Sequence, residues 1–270
     1  MLKIYYILLL LLIGSPFGAF AAKPFRFALL TDLHISATNH QATEDLQNAV
    51  MDVNKLSGID FVIVSGDVSH RGDTLSLRNA KQTLEKLKMP FYIVSGNHDV
   101  KWYETGSVNF NAIFQDNKFV FTHNDIEFIG FTTAPLNNTG VGYIQPGDIN
   151  WMKSTLRKAG KEKSVIVITH YPLQNGDVQN YDTMIDILLH YNVQAVLGGH
   201  YHRNVVFNYE GIPGVINRST LRGNEAVGGY SIYSISDSIR VYEKKINMPE
   251  EKWLTLPFER TKYTFPHLKQ

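Results

Sequence analysis

Phe91-Tyr-Ile-Val-Ser-Gly-Asn-His-Asp99 decides how the rest of the chain is read. Its first half is an apolar run of strand type, and it stops at Gly96 to present Asn97, His98 and Asp99 together. Open α/β sheets place their chemistry where strands deliver polar side chains at their carboxyl ends. Four other stretches repeat the design: Phe27-Ala-Leu-Leu-Thr-Asp-Leu-His34, Phe61-Val-Ile-Val-Ser-Gly-Asp67, Val165-Ile-Val-Ile-Thr-His170 and Ala195-Val-Leu-Gly-Gly-His-Tyr-His202. Five buried-type strands ending in Asp, His or Asn predict one shared polar site.

Between these strands the spacing is helical. Gln41 to Leu56 carries Leu46, Val50, Val53 and Leu56 on one face, and Thr74 to Leu87 carries Leu75, Leu77, Leu84 and Leu87. The resulting βαβαβ pattern predicts neighbouring parallel strands joined by right-handed crossovers. Lys101 to Asp116 reads as a loop with a short helix. Lys118 to Thr122 and Ile126 to Thr132 read as a hairpin turned at His123-Asn-Asp125. A helix follows over Ile149 to Ala159 with Asp148 as its cap, then another over Tyr181 to Tyr191. From Val205 onward four alternating runs, reaching Ser238 to Lys244, predict an antiparallel meander, and the tail from Pro249 is expected along the surface. With no repeat and no low-complexity linker, the expectation is one α/β domain of two packed sheets.

A chain of 270 residues, 44% hydrophobic and 19% charged, has the balance of a folded protein with a full core. Met1 to Ala22 reads as a secretory signal, with Lys3 in the basic region, Ile4 to Ile13 apolar and Ala19-Phe-Ala21 at the cleavage position. Residues 1–21 are then removed and 22–270 form the domain, with no membrane anchor left. The chain has no cysteine, so its stability cannot depend on compartment redox state, and a secreted or periplasmic location is expected. The formal charge is +1, and loss of Lys3 balances 25 basic against 25 acidic residues, so no surface for polymeric nucleic acid is expected.

Asp32-Leu-His34 and His200-Tyr-His202 each set two ligand types two residues apart, and in extended backbone such residues point the same way. Mixed oxygen and nitrogen donors suit Zn, Mn, Fe, Co or Ni better than Mg or Ca. Taken singly, Gly66-Asp67 is a turn, Gly96 to Asp99 a hydrogen-bonded loop and His170 a satisfied histidine. Their conjunction at five strand ends favours a metal site.

The ordered set Asp32-x-His34, Gly66-Asp67, Gly96-Asn97-His98-Asp99, His170 and Gly199-His200-x-His202 resembles the calcineurin-like metallophosphoesterase superfamily, in its cyclic-nucleotide phosphodiesterase and purple-acid-phosphatase-like branches. The resemblance runs from Phe27 to about His202, and Gly142 to Leu156 looks like a segment of those branches. It implies a four-layer α/β/β/α sandwich of two mixed sheets with helices on the outer faces, the meander supplying the second sheet. It implies two divalent transition-metal ions, the first held by Asp32, His34 and His202, the second by Asn97, His170 and His200, with Asp67 bridging. Ions about 3.5–4 Å apart share a hydroxide in such clamps and neutralise a phosphoryl oxygen. The implied activity is hydrolysis of a phosphomonoester or small phosphodiester, with His98 serving the leaving oxygen. The competing expectation is a catalytically silent metal-binding or interaction module that keeps the fold.

One block departs from the family pattern. The protein-phosphatase branch reads Gly-Asp-x-x-Asp-Arg-Gly, its later Asp orienting the catalytic histidine, whereas this chain reads Gly66-Asp-Val-Ser-His-Arg-Gly72. His98 then needs another partner, Asp99 being one choice, or His70 itself faces the substrate. Arg71 matches the pattern and either binds a phosphate oxygen or pairs at the surface. His70 also replaces the tyrosine behind the purple colour of purple acid phosphatases, so no purple protein is expected. Trp151 reads as core, while Tyr103, Tyr171 and Tyr201 stand beside the motifs, as packing residues or as a surface for a base or aryl group.

Overall fold

Strict alternation of side chains along each strand determines the layering, because the inner strands of the two sheets are apolar on both faces. The computed structural model describes residues 23–102, 107–135 and 140–258. The expected signal over 1–21, Tyr103 and the end of the tail lie outside the described residues. Strands β1 (Phe25–Leu30), β2 (Phe61–Ser65) and β3 (Phe91–Val94) are parallel neighbours, with α1 (His40–Val53) and α2 (Thr74–Leu84) in the crossovers. Side chains of Asn39 and Asp73 cap these two helices by accepting the amides of Ala42 and Ser76.

After β3 come α3 (Asn97–Val100), α4 (Val108–Phe114), β4 (Phe119–His123) and β5 (Ile126–Gly130). The expected hairpin forms with Asn124 and Asp125 both left-handed, at φ 44° and 65°, as a two-residue turn of matching twist requires. Then follow α5 (Pro146–Ala159), β6 (Ser164–Ile168), α6 (Tyr181–Leu188) and β7 (Val193–Gly198). Helix α5 starts earlier than expected, with Pro146 at its first position, so Asp148 is not its cap. Asp148 sits inside the first turn, where Lys118 Nζ donates to it at 2.8 Å.

The expected meander divides. Strands β8 (Val205–Tyr209) and β9 (Ile212–Ile216) form a hairpin on the edge of the second sheet, with β9 parallel to β7. Strands β10 (Gly229–Ile235), β11 (Ser238–Lys245) and β12 (Glu250–Pro257) cross to the first sheet, where β10 runs antiparallel beside β1. The sheets are therefore ordered β12-β11-β10-β1-β2-β3 and β4-β5-β6-β7-β9-β8, and the second sheet is not the meander alone. Residues 250–257 of the tail are a paired edge strand.

Phe27, Leu29, Phe61, Ile63, Phe128, Ile166 and Tyr233 pack between the two sheets. Their strand neighbours Ala28, Leu30, Val62 and Val64 face α1, α2 and α4, while Ile129, Val165 and Val167 face α5 and α6. This is the α/β/β/α sandwich. At its centre the Phe27 ring stacks on Phe61 at 5.0 Å and on Tyr233 at 4.8 Å. Phe27→Ala is expected to cost about 3–5 kcal/mol, read from the denaturant midpoint of the full chain. A shift below about 1 kcal/mol would contradict that packing.

Candidate metal centre

Side by side in their sheets, β1, β2 and β3 of one layer and β6 and β7 of the other end at a common rim. Asp32 and His34 follow β1, Asp67 follows β2, Asn97 and His98 follow β3, His170 follows β6, and His200 and His202 follow β7. The strands stop before these residues. Asp32, His34, Asp67, His200 and His202 all adopt positive φ, between 49° and 73°, so five candidate ligands sit in the left-handed region. Each such residue costs energy that the surroundings must over-determine, a pattern concentrated at functional sites. The i, i+2 pairs converge through these kinks and not through the pleat of an extended strand, which corrects the reading from spacing.

The motif glycines admit this crowding. A Cβ on Gly96 would stand 2.2 Å from Asp67 Oδ1, and one on Gly199 would stand 2.0 Å from Thr31 Oγ1 and 2.6 Å from Asp32 Oδ2. Only a glycine lets these backbones approach the carboxylates so closely.

Two donor groups gather the predicted ligands. The ligating atoms of Asp32, His34 and His202 lie within 4.8 Å of one another, as do those of Asp67, His170 and His200. Asn97 joins the second group, its Oδ1 3.2 Å from His170 Nε2. Asp67 Oδ1 accepts the His98 amide at 2.8 Å, which leaves Oδ2 between the groups, 3.2 Å from His170 Nε2 and 3.9 Å from His34 Nε2. Asp32 is held by the Thr31 hydroxyl and the His200 amide, with Oδ1 3.2 Å from His202 Nε2. All seven predicted ligands are thus brought together.

The chemistry of this donor set fits divalent cations. Two imidazole nitrogens, His34 Nε2 and His202 Nε2, stand 3.1 Å apart, and two carboxylates are fully enclosed beside them. Burial pushes the Asp32 carboxyl up, yet its hydrogen bond with His202 and the charges of His170 and His202 outweigh this and hold it below the usual range. Asp67 is likewise held low, chiefly by His170, against its burial. Burial lowers His34 to about 4 and His200 to about 4, so both imidazoles are neutral and ready to ligate at pH 7. Burial would lower His170 too, but Asp67 pushes it up to about 9.

A proton must leave His170 before it can ligate, since a metal binds the neutral ring. Cation uptake at pH 7 is therefore expected to release a proton, and affinity to rise as pH climbs towards about 9. Calorimetry in buffers of different ionisation enthalpy measures this, and pH-independent uptake would contradict it.

His98 is half-buried, and its ring stands edge-on to His34 at 4.7 Å. Its Nδ1 donates to the His70 backbone carbonyl at 2.8 Å, and Nε2 is the ring nitrogen outside that bond. Asp99 is not the partner of His98. It is buried and accepts the amides of Val68, Ser69 and Gly96 and the Ser69 hydroxyl, clamping the loop after β2 to the start of α3. The position at which the sequence departs from the phosphatase pattern therefore orients His98 through its backbone. The His70 ring lies 5.3 Å from His98, and ring nitrogens of His34, His70 and His98 fall within 4.8 Å of one another, so the exposed His70 side chain reaches the site as well. Arg71 is exposed and stands 5.8 Å from the Trp102 ring.

The family model described as calcineurin-like phosphoesterase matches residues 25–204, which carry every one of these ligands. The chain belongs to the calcineurin-like phosphoesterase family. A probable cyclic nucleotide phosphodiesterase of Ruthia magnifica is 25% identical over 78% of this phosphoesterase and 94% of the relative. A probable glycerophosphodiester phosphodiesterase GpdQ of Arcobacter nitrofigilis is 28% identical over 58% of the chain and 62% of the relative. In fold the phosphoesterase is similar to a dimetal phosphatase from Danio rerio, with a TM-score of 0.68 at 13% identity, covering 87% of this chain and 99% of that one.

Sequence reasoning missed Asp177 of this phosphoesterase. Its Oδ1 lies 3.7 Å from His200 Nε2, while Oδ2 accepts from the Tyr201 hydroxyl at 2.6 Å and from Gln174 Nε2 at 2.7 Å. A carboxylate this close behind a ligating imidazole favours one orientation of the ring. Tyr201 is committed to Asp177, and Tyr171 is buried with its ring 4.2 Å from His200, so both pack behind that ligand. No sequence signal marks Asp177, since it belongs to no motif. Asp177→Asn is expected to weaken uptake of one cation about 10- to 100-fold, measured by metal titration, with the other unchanged.

Proposed function

We propose that this phosphoesterase hydrolyses a phosphomonoester or a small phosphodiester, nucleotides included, at a dinuclear centre of divalent transition-metal ions. The observation that carries the reading is Asp67 Oδ2, free of backbone partners and shared between two donor groups. Asp32, His34 and His202 would hold one ion, Asn97, His170 and His200 the other, and Asp67 both. When bound, such a pair supplies Lewis acidity at the phosphoryl oxygens and lowers the pKa of the attacking water.

The protein's own groups do the rest. His98, protonated on both ring nitrogens and held at Nδ1–H by the His70 carbonyl, gives its Nε2 proton to the ester oxygen as the phosphorus–oxygen bond breaks, and recovers one from solvent. The His70 ring and Arg71, on the same loop, bind non-bridging phosphate oxygens. The names of the relatives favour phosphodiesters of small alcohols, cyclic nucleotides and glycerophosphodiesters among them. We also infer export, with residues 1–21 removed, which N-terminal sequencing of the secreted or periplasmic protein tests. Among the described residues no helix is long and apolar enough to cross a membrane.

The test is turnover of bis-p-nitrophenyl phosphate and p-nitrophenyl phosphate by the Mn-loaded full chain, with ions counted per chain. Turnover that a chelator abolishes and Mn restores is expected. Two ions bound without turnover on a panel of phosphate esters would instead identify a silent module, and one ion per chain a different hydrolase.

A further inference from the structure

We propose that Trp102, flanked by Lys101 and Arg71, is a leaving-group subsite that selects phosphate esters whose alcohol carries a flat aromatic ring, an aryl or nucleobase group, over esters that lack one. The inference rests on the hydrolase reading above and names the substrate class of that same site.

Trp102 follows His98 by four residues. The Lys101 amide donates to the Asn97 carbonyl at 3.0 Å, which continues the turn of α3, so positions 98 and 102 share a face. The His98 and Trp102 rings stand 6.1 Å apart. From the ligand His34 the rings therefore run outward to His98 at 4.7 Å and then to Trp102. An ester oxygen that takes its proton from His98 carries its organic group on the side away from the ligands, against the next ring outward.

The indole is also exposed. Trp102 is 43% exposed, whereas Trp151 and Trp253 are half-buried against the cores of the sheets. Lys101 Nζ lies over the ring, 4.7 Å from its centre, and the Arg71 guanidinium lies over it at 5.8 Å, so a planar group that stacks there takes the place of a long, flexible cationic side chain, which then stays beside the anionic ester. An aromatic face beside positive charge suits an anionic ester with a planar substituent. Of the tyrosines that stood as alternatives, Tyr171 and Tyr201 are packed behind His200, and Tyr103 lies outside the described residues.

The test compares AMP with ribose 5-phosphate, the same monoester without the base, on the Mn-loaded full chain by calorimetry, with KM read wherever a ligand is turned over. The wild type is expected to bind AMP about tenfold more tightly, Trp102→Ala to remove that difference while ribose 5-phosphate stays within twofold, and Trp102→Phe to restore most of it. Equal affinities in the wild type, or the same loss for both ligands in Trp102→Ala, would overturn the subsite. If the wild type prefers AMP through Trp102 yet hydrolyses no ester, the subsite stands and the hydrolase reading falls. If it turns over esters but the Trp102 variants leave selectivity unchanged, the subsite alone falls.

Discussion

Asp67→Asn is expected to empty both cation positions together and to leave the fold intact. The amide is isosteric, and its carbonyl can still accept the His98 amide that Asp67 Oδ1 accepts at 2.8 Å. What changes is the atom facing the two donor groups, where an NH2 replaces the oxygen that stands 3.2 Å from His170 and 3.9 Å from His34. An NH2 has no lone pair to offer a cation and removes a negative charge from a buried site. Breaking a buried charge pair from one side costs about 3–5 kcal/mol, roughly 10²- to 10⁴-fold in affinity for each ion. Metal content after gel filtration should drop from two ions per chain towards none, and turnover with it. Because Asp67 is the main influence raising His170, the proton release at pH 7 should fall as well. Retention of both ions would remove the basis of the proposed chemistry.

His98→Ala is expected to separate chemistry from metal binding. Among the described residues none of the seven candidate ligands is hydrogen-bonded to the His98 ring, whose Nδ1 is engaged by the His70 carbonyl. Metal content should therefore stay unchanged while kcat falls about 10²- to 10⁴-fold, the usual contribution of a positioned acid. The loss should depend on the leaving group. p-Nitrophenolate departs without a proton, so the defect with bis-p-nitrophenyl phosphate should be much smaller than with an alkyl ester. Equal defects on both substrates would contradict a proton-donating role, and loss of metal would reassign His98 as a ligand.

These two predictions use residues visible as motifs, because metal chemistry restricts the donor types and the strand ends restrict where donors can stand. The partners of those residues were hidden. His98 is aimed by the carbonyl of His70, and any residue type supplies a carbonyl, so no sequence pattern marks that bond. Asp99, the neighbouring carboxylate and the obvious alternative, is consumed by three amides and a hydroxyl of the loops it clamps. Asp177 and Trp102 gain meaning only from His200 and His98, which chain folding brings beside them. The late strands were legible as strands and misread as one sheet. Alternation reports which faces of a strand are buried and says nothing about its neighbour, so β9 beside β7 and β10 beside β1 had to come from tertiary pairing.

By itself the sequence determined the parallel β1-β2-β3 unit, the hairpin at Asn124-Asp125 and the donor residues at five strand ends, since periodicity and residue chemistry are local properties. Only the tertiary structure decided that Asp32, His34, Asp67, His200 and His202 converge through left-handed kinks, that the last three strands return to the first sheet, and that His70 acts on His98 through its backbone. Those outcomes depend on what packs against what across the two sheets, where close approach at Gly96 and Gly199 and the satisfaction of buried polar groups select one arrangement.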